Sequence, residues 1–330
     1  FEIKGMLQAV ERICEALKQK ETILLVGDYD VDGITSTVII KKNLTKLGSN
    51  PFHVIPKRKT EGYGLSEKVL ERGLKMGEVD LVIALDCGTN SSNEAKYLEE
   101  RGIDLIVVDH HQSKEKLPSN AILVNPHLSK DHGEPWRFLC TAGLAFKLIH
   151  GMLKKLRQDG NKVALELSPK ESIGLSGLGT IADLVPLKNE NRILANFGLK
   201  YLSQQSGIGI QALLKEAKVE NTSLVGEDVA FKIAPRINAC GRLDDPDLAI
   251  SLLLETDPNN CRALAKKMNE YNEERKSIES NLSEEALNQA KNLFSEKPAV
   301  VACGEGDAWN PGVVGIVAGK LAHSLCKPCI

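Results

Sequence analysis

Residues 104–111 read DLIVVDHH, an apolar, β-branched run that stops at an aspartate and two adjacent histidines. A strand apolar on both faces belongs inside a sheet covered on both sides. Working outward, ETILLVG (21–27), FHVIP (52–56), DLVIALD (80–86) and AILVN (121–125) have the same form. Helix-like stretches at about 34–47, 66–72 and 93–101 lie between them. Short buried strands alternating with helices predict an α/β fold with a doubly wound, mainly parallel sheet.

In such sheets ligands bind outside the carboxyl ends of the strands, where loops converge and helix N-termini point outward. Asp28, Asp30 and Asp32 follow the first strand, Asp86 ends DLVIALD, and Asp109, His110 and His111 end DLIVVD. Polar residues do gather where a strand leaves the core, and an isolated histidine there is more often hydrogen-bonded than ligating. Three strands that deliver acids and imidazoles to one rim are a different case. The carboxylates would repel one another unless cations neutralise them, so the pattern predicts a metal cluster.

Composition sets the frame for this reading. A chain of 330 residues with 42% hydrophobic content is long enough for two domains and a large core. Its net charge of −2 advertises no global basic field, so any phosphate binding has to come from local clusters. Eight scattered cysteines make no disulfide framework, and neither a leader nor an apolar run of membrane-spanning length is visible. A cytoplasmic, reduced protein without membrane contact is expected. Cys326 and Cys329 form a CxxC, but no second pair stands near it for a zinc site. Phe1 and Ile330 both look like trimmed ends, and a longer natural protein is expected.

From about 141 to 205 the pattern is helical, with LCTAGLAFKLIHGML (139–153) as a buried helix. GLGTIA (177–182) matches GxGxxA formally, but no strand precedes it, so no dinucleotide site is expected. Asp183 stands among Ile181, Ala182, Leu184 and Val185, and a carboxylate in that company needs a partner. Asp257 and Pro258 signal a helix start, after which apolar or small residues recur every three or four positions to Leu293. One unbroken helix there would span roughly 55 Å and serve as a connector, with a coiled-coil face as the alternative. PAVVACG (298–304) and GVVGIVAGKLA (312–322) then look like the opening strand and helix of a second, incomplete α/β unit. The expected division is a first domain over 1–256, a connecting helix over 257–295 and the start of a second domain over 296–330.

Carboxylates with imidazole and without thiolate favour manganese or magnesium over structural zinc. Six or seven such ligands are too many for one ion, whereas two bridged ions would use them all and suit phosphoryl displacement. GDYDVDGITS (27–36), LDCGTN (85–90), VVDHH (107–111) and GTIADLVPL (179–187) resemble, in order and spacing, the four motifs of the DHH phosphoesterase superfamily. Within it, the triple aspartate, EGYGLS (61–66) and APRINACGRLDDP (234–246) are similar to the bacterial single-strand-specific 5′ to 3′ exonucleases.

That resemblance implies two divalent ions, Mn²⁺ or Mg²⁺, one held by Asp28 and Asp30 and the other by Asp32, His110 and Asp183, with Asp86 bridging. His111 would meet the scissile phosphate or the attacking water, and Asp109 would orient His110 through its other ring nitrogen. The implied reaction is hydrolysis of single-stranded DNA to 5′-mononucleotides in repair and recombination, with a single-strand-binding protein or a helicase as a conceivable partner. For the strand itself, Arg236 and Arg242 bracket the small residues NACG, including Asn238, and could grip phosphates; the alternative is ion pairing with Asp244 or Asp245. Arg58, between Lys57 and Lys59, and Tyr63 could add a phosphate contact and a stacking face. Where the family reads WHPG this chain has WNPG, with Asn310 at the histidine position, and the family's later GGH motif falls beyond residue 330. Two other readings remain open: a phosphodiesterase for short oligoribonucleotides or cyclic dinucleotides, and a catalytically silent relative, which would have lost metal ligands that this chain retains.

Overall fold

Five parallel strands in the order β2-β1-β3-β4-β5 form the only sheet among the described residues. The computed structural model describes residues 2–113, 116–129, 133–219, 224–243, 245–305 and 308–330. The strands are β1 (Ile23–Gly27), β2 (Phe52–Val54), β3 (Leu81–Leu85), β4 (Asp104–Val108) and β5 (Ala121–Val124). Around them run α1 (Met6–Gln19), α2 (Val31–Lys46), α3 (Glu67–Leu74), α4 (Ser92–Glu99) and α5 (Thr141–Gln158).

Alternate strand residues face opposite ways. Ile23, Leu25, Leu81, Ile83, Ile106 and Val108 pack with α1, α2 and α5. Leu24, Val26, Val82, Ala84, Leu105 and Val107 pack with α3 and α4 on the other face. Every residue of β1 and β3 is buried, which explains the unbroken apolar runs. At roughly 1.5–3 kcal/mol per fully buried aliphatic side chain, this core holds the strand ends rigid enough to aim side chains. The strand order reverses at β1, so the crevice between the carboxyl ends of β1 and β3 is where a ligand site is expected. Asp28 and Asp86 flank it.

A helical layer follows: α6 (Lys162–Glu166), α7 (Ile173–Ala182), α8 (Asn189–Gln205), α9 (Ile208–Glu216), α10 (Gly226–Asp228), α11 (Ala234–Arg242) and α12 (Asp247–Leu254). It builds a second core on α2 through Val31, Ile34 and Val38. The expected long helix is present without a break as α13 (Pro258–Phe294), capped by the Asp257 carboxylate on the amides of Asn259 and Asn260. Its first half packs into the helical layer through Cys261, Ala265 and Met268. Its second half packs through Leu282, Ala286 and Ala290 against α14 (Val314–Leu325).

The expected strand at PAVVACG is reduced to one isolated parallel bridge, Val300 with Cys329, because no further strand stands beside it among the described residues. Cys326 ends α14 with φ 51° and Cys329 lies in that bridge. No group of metal-ligating side chains forms around them among the described residues. All eight cysteines are free, and among the described residues no helix is long and apolar enough to cross a membrane.

Candidate metal centre

Four chain segments deliver the polar groups to the β1–β3 crevice. The chain leaves β1 at Gly27 and turns at once into α2, whose first turn lies directly on the Asp28 backbone. A Cβ at Gly33 would come 2.5 Å from the Asp28 carbonyl oxygen, so only glycine permits this approach. Asp30 caps α2 by accepting the Gly33 amide at 3.0 Å. Asp32 reaches the N-terminus of α5, where its two oxygens accept the amides of Thr141 (2.7 Å) and Ala142 (2.8 Å). Asp86, just past β3, has the left-handed φ of 65°, which is uncommon for a side-chain-bearing residue and most tolerable for Asp or Asn. That turn points its carboxylate into the crevice, where Oδ1 accepts the Thr141 hydroxyl at 2.9 Å. Asp183 caps the C-terminus of α7, and α7 can come this close because Gly179 lacks a Cβ that would lie 2.9 Å from Asp32 Oδ1.

Two trios of possible ligands result, Asp28–Asp30–Asp86 and Asp32–His110–Asp183, and a third, Asp86–His110–His111, joins them; in each the donor atoms lie within 4.8 Å of one another. They adjoin at His110, whose Nε2 lies 3.4 Å from Asp86, 3.5 Å from Asp183 and 3.7 Å from Asp32. Burial, and then the charge of Asp30, push the Asp28 carboxyl up to about 8. Burial followed by Asp32 pushes Asp183 up to about 7, and burial with the surrounding aspartates raises Asp86 well above the carboxylate range. Asp28 Oδ1 is buried without a hydrogen-bond partner. An orphaned oxygen among mutually repelling acids fits a divalent cation, and the all-oxygen-and-imidazole donor set suits Mn²⁺ or Mg²⁺.

All six expected ligand positions thus lie together around one crevice. The role expected of Asp109 is corrected. Its carboxylate meets the ring of His111, Nδ1 donating at 2.7 Å, and also accepts the amides of His110 (2.7 Å), His111 (3.1 Å) and Thr89 (3.1 Å). This hydrogen bond lifts His111 to about 9, while burial, which alone would raise Asp109, is outweighed by the imidazole and the amides that hold it well below the carboxylate range. Asn125 braces the loop by donating to Thr89 Oγ1 and to the His111 carbonyl, both at 2.9 Å.

The residues proposed for substrate separate. Arg58 lies 5.3 Å from the centre of the Tyr29 ring, beside the crevice, and Tyr63 Oη is 3.1 Å from His111 Nε2. Arg242 lies near Arg58, Arg275, Tyr29 and Asp30 and donates to the Gly312 carbonyl at 2.6 Å. Arg236 instead turns to α13, donating to Asn269 at 3.0 Å. The expected small-residue turn between the two arginines is the helix α11, and six positions along a helix rotate a side chain by roughly 240°, so one helix cannot aim both at the crevice. Asn238 accepts the Val31 amide at 3.1 Å and so tethers the loop that carries Asp28 to Asp32. Asp245 is bound by Lys267 and Tyr271, and Asp244 lies outside the described residues. At the position of the family histidine, Asn310 accepts the Gly312 amide at 2.8 Å and shapes the turn that Arg242 contacts.

Thr141, Ala142, Thr89 and Asn125 escape the sequence reading. The N-terminus of a buried helix at LCTAG was a usable signal, since such ends attract carboxylates. Asp109→Asn tests the bracing of His111: the new amide NH₂ would face the Thr89 amide, donor to donor. Hydrolysis is expected to fall about 10- to 100-fold, measured as kcat under saturating Mn²⁺. An unchanged kcat would show that the Asp109–His111 pair is not needed.

The parallel sheet carries a carboxylate–imidazole cluster at its strand ends, and residues 22–179 match the model of the DHH family, N-terminal domain. The chain belongs to the DHH family. The relatives it matches along its whole length are RecJ proteins: the single-stranded-DNA-specific exonuclease RecJ of Bacillus subtilis is 38% identical over 332 residues. This match takes in 100% of the chain but only 40% of that relative. A crystal structure of exonuclease RecJ bound to manganese superposes with a TM-score of 0.87 at 33% identity, covering 100% of this chain and 80% of that one. RecJ of Thermus thermophilus in complex with Mn²⁺ superposes with a TM-score of 0.84 at 31% identity, covering 100% of this chain and 46% of that one.

Proposed function

We propose that this chain is the nuclease core of a RecJ-type, metal-dependent 5′ to 3′ exonuclease that hydrolyses single-stranded DNA to 5′-mononucleotides. The observation that carries the proposal is the meeting of the two ligand trios at Asp86 and His110, with a buried oxygen of Asp28 left for a cation. Asp28, Asp30 and Asp86 would hold one divalent ion, and Asp32, His110 and Asp183 the other, with Asp86 common to both. Bound ions of this kind polarise a phosphoryl oxygen and lower the pKa of water. The rest falls to the chain. Thr141 and the α5 amides hold Asp86 and Asp32 in place, and Asp109 and the Tyr63 hydroxyl hold the ring of His111 from its two nitrogens at the edge of the cluster. Arg58 and Arg242 line the mouth and would take phosphates of the retained strand, Tyr63 would meet a base, and Asn238 and Arg236 would act through the loop and through α13.

Residues 1–256 would form the hydrolytic domain, 257–295 the connector and 296–330 the start of a second domain. With eight free cysteines the protein is suited to the reducing cytoplasm, where single-stranded DNA, and through it a single-strand-binding protein or helicase, would be the partners in repair and recombination. The test is an assay with 5′- or 3′-labelled single strands in Mn²⁺, against duplex DNA and RNA. Early release of labelled mononucleotide from the 5′ end of single-stranded DNA is expected. Release from the 3′ end alone overturns the direction, and a preference for di- or trinucleotides overturns the substrate.

A further inference from the structure

Away from the cluster, where the end of α8 turns into α9, lies a cavity of about 350 Å³ whose wall includes Lys42, Gly174, Tyr201, Ser206 and Leu254. Ligand pockets begin at roughly 300 Å³, so one small molecule fits. Lys42 stands on α2 well beyond the cap residue Asp30, roughly 18 Å along the helix at about 1.5 Å per residue. The cavity is therefore separate from the metal centre.

Hydrogen-bond donors of three kinds converge on it. The N-cap of α9 is Gly207, which supplies no side-chain cap, and the amides of Ile208, Gly209 and Ile210 lie in the wall without an acceptor among the described residues. Such amides attract an anion. Ser206 is only 7% exposed, and its hydroxyl has no hydrogen-bond partner, although its carbonyl accepts the Gln211 side chain at 2.8 Å. An unpaired buried hydroxyl is costly, and one that lines a cavity calls for a ligand to pair with. Lys42 adds a positive charge. The acids of the wall have partners of their own, Glu171 in Lys46 and Glu255 in the amides of Thr256 and Asp257. Leu175, Leu202, Leu253 and the Tyr201 ring supply apolar wall, and a Cβ at Gly174 would come 3.1 Å from Tyr201 Cδ1, so glycine leaves that ring its place.

We propose that this cavity binds a phosphate monoester carried on a small ring-bearing molecule, with the phosphate on the α9 amides, Ser206 Oγ and Lys42 and the ring against Tyr201 and the leucines. Inorganic phosphate shares the anionic half of that chemistry, and a nucleoside 5′-monophosphate has both halves. The site does not depend on the proposed exonuclease function, but its position bears on it. Lys42 of α2 and Gly174 of α7 frame the cavity, and at their other ends the same two helices carry Asp30, Asp32 and Asp183. A ligand here touches the far ends of both helices that present metal ligands.

Isothermal titration calorimetry in chelator, where the carboxylates of the cluster repel phosphate, compares 5′-dAMP, inorganic phosphate and deoxyadenosine. The expected result is one site for dAMP with a Kd near or below about 1 mM, phosphate at least about tenfold weaker, and no measurable binding of deoxyadenosine. Hydrogen bonds to a charged group outweigh neutral ones, so Ser206→Ala and Lys42→Met should each raise the Kd for dAMP about tenfold. Tyr201→Ala should bring the dAMP and phosphate constants together. Without ligand, Ser206→Ala should melt at or above the parent temperature, because the hydroxyl it removes has no partner, and this separates lost affinity from lost fold. No saturable binding of dAMP or phosphate up to about 10 mM overturns the site. So does a Kd that both Ser206→Ala and Lys42→Met leave unchanged, which would place the ligand on the arginines beside the crevice. Deoxyadenosine binding as well as dAMP overturns the phosphate contacts, and equal constants for dAMP and phosphate in the parent overturn the ring seat and assign the site to free phosphate. The titration needs no metal and reads no hydrolysis, so its failure is distinct from failure of the exonuclease reading.

Discussion

Asp86→Asn is expected to lower single-strand hydrolysis by at least about a thousandfold while leaving the fold intact. Asparagine has the same shape, tolerates the left-handed backbone at this position, and keeps an oxygen to accept the Thr141 hydroxyl. What it removes is the charge at the junction of the two ligand trios, where Asp86 lies 3.4 Å from His110 Nε2. Charge stabilisation by a bound cation is worth several kcal/mol, and about 4 kcal/mol corresponds to three powers of ten in rate. The same substitution relieves repulsion among Asp28, Asp30, Asp32 and Asp86 when no cation is present. The variant should therefore melt at or above the parent temperature in chelator and gain less from Mn²⁺. Hydrolysis at the parent rate in saturating Mn²⁺ would refute Asp86 as the shared ligand; a lowered melting point in chelator would show that the charge serves the fold instead.

The parts of this arrangement that can be read from the sequence are those set by periodicity and by chain order. Fully buried strands leave unbroken apolar runs, and in a parallel sheet every strand ends on the same rim, so Asp28, Asp86 and His110 had to be neighbours once the strands were placed. The amphipathic α1 carries an equally plain signal in Met6, Ala9, Val10 and Ile13, yet a reading that begins at the first strand passes over it. Side-chain choices are less accessible. Two adjacent histidines leave a strand end in different directions, and which ring Asp109 meets depends on rotamers that residue order does not determine. Arg236 and Arg242 look equivalent around NACG until the segment is known to be helical, and then helical rotation separates them. The same holds along α13, where Asn272 and Glu279 are buried with Arg275 between them, an arrangement the apolar spacing gives no hint of.

The cluster also makes the stability of the protein depend on pH in a direction that cations should reverse. Asp28, at about 8 in the folded metal-free protein, and Asp183, at about 7, have ordinary carboxylate values once unfolded. Between about pH 4 and pH 8 the folded state therefore binds more protons than the unfolded state, and stability falls as pH rises through that window. Asp109 works the other way: its carboxyl is held low, so its contribution is present above about pH 4 and is lost in stronger acid. Metal-free protein is thus expected to be most stable near pH 5 to 6 and to melt lower at pH 8. Divalent ions bind the deprotonated carboxylates and displace those protons, so their affinity should rise over the same window. At a hundredfold excess over Kd a ligand adds about 2.7 kcal/mol, which for a chain of this size raises Tm by roughly 4 °C. The Mn²⁺-induced increase should therefore be largest at pH 8, nearly vanish at pH 5, and disappear with chelator together with hydrolysis. Differential scanning fluorimetry across pH 5 to 8, with and without Mn²⁺, measures it directly; an increase independent of pH would mean that the ions bind away from these raised carboxylates.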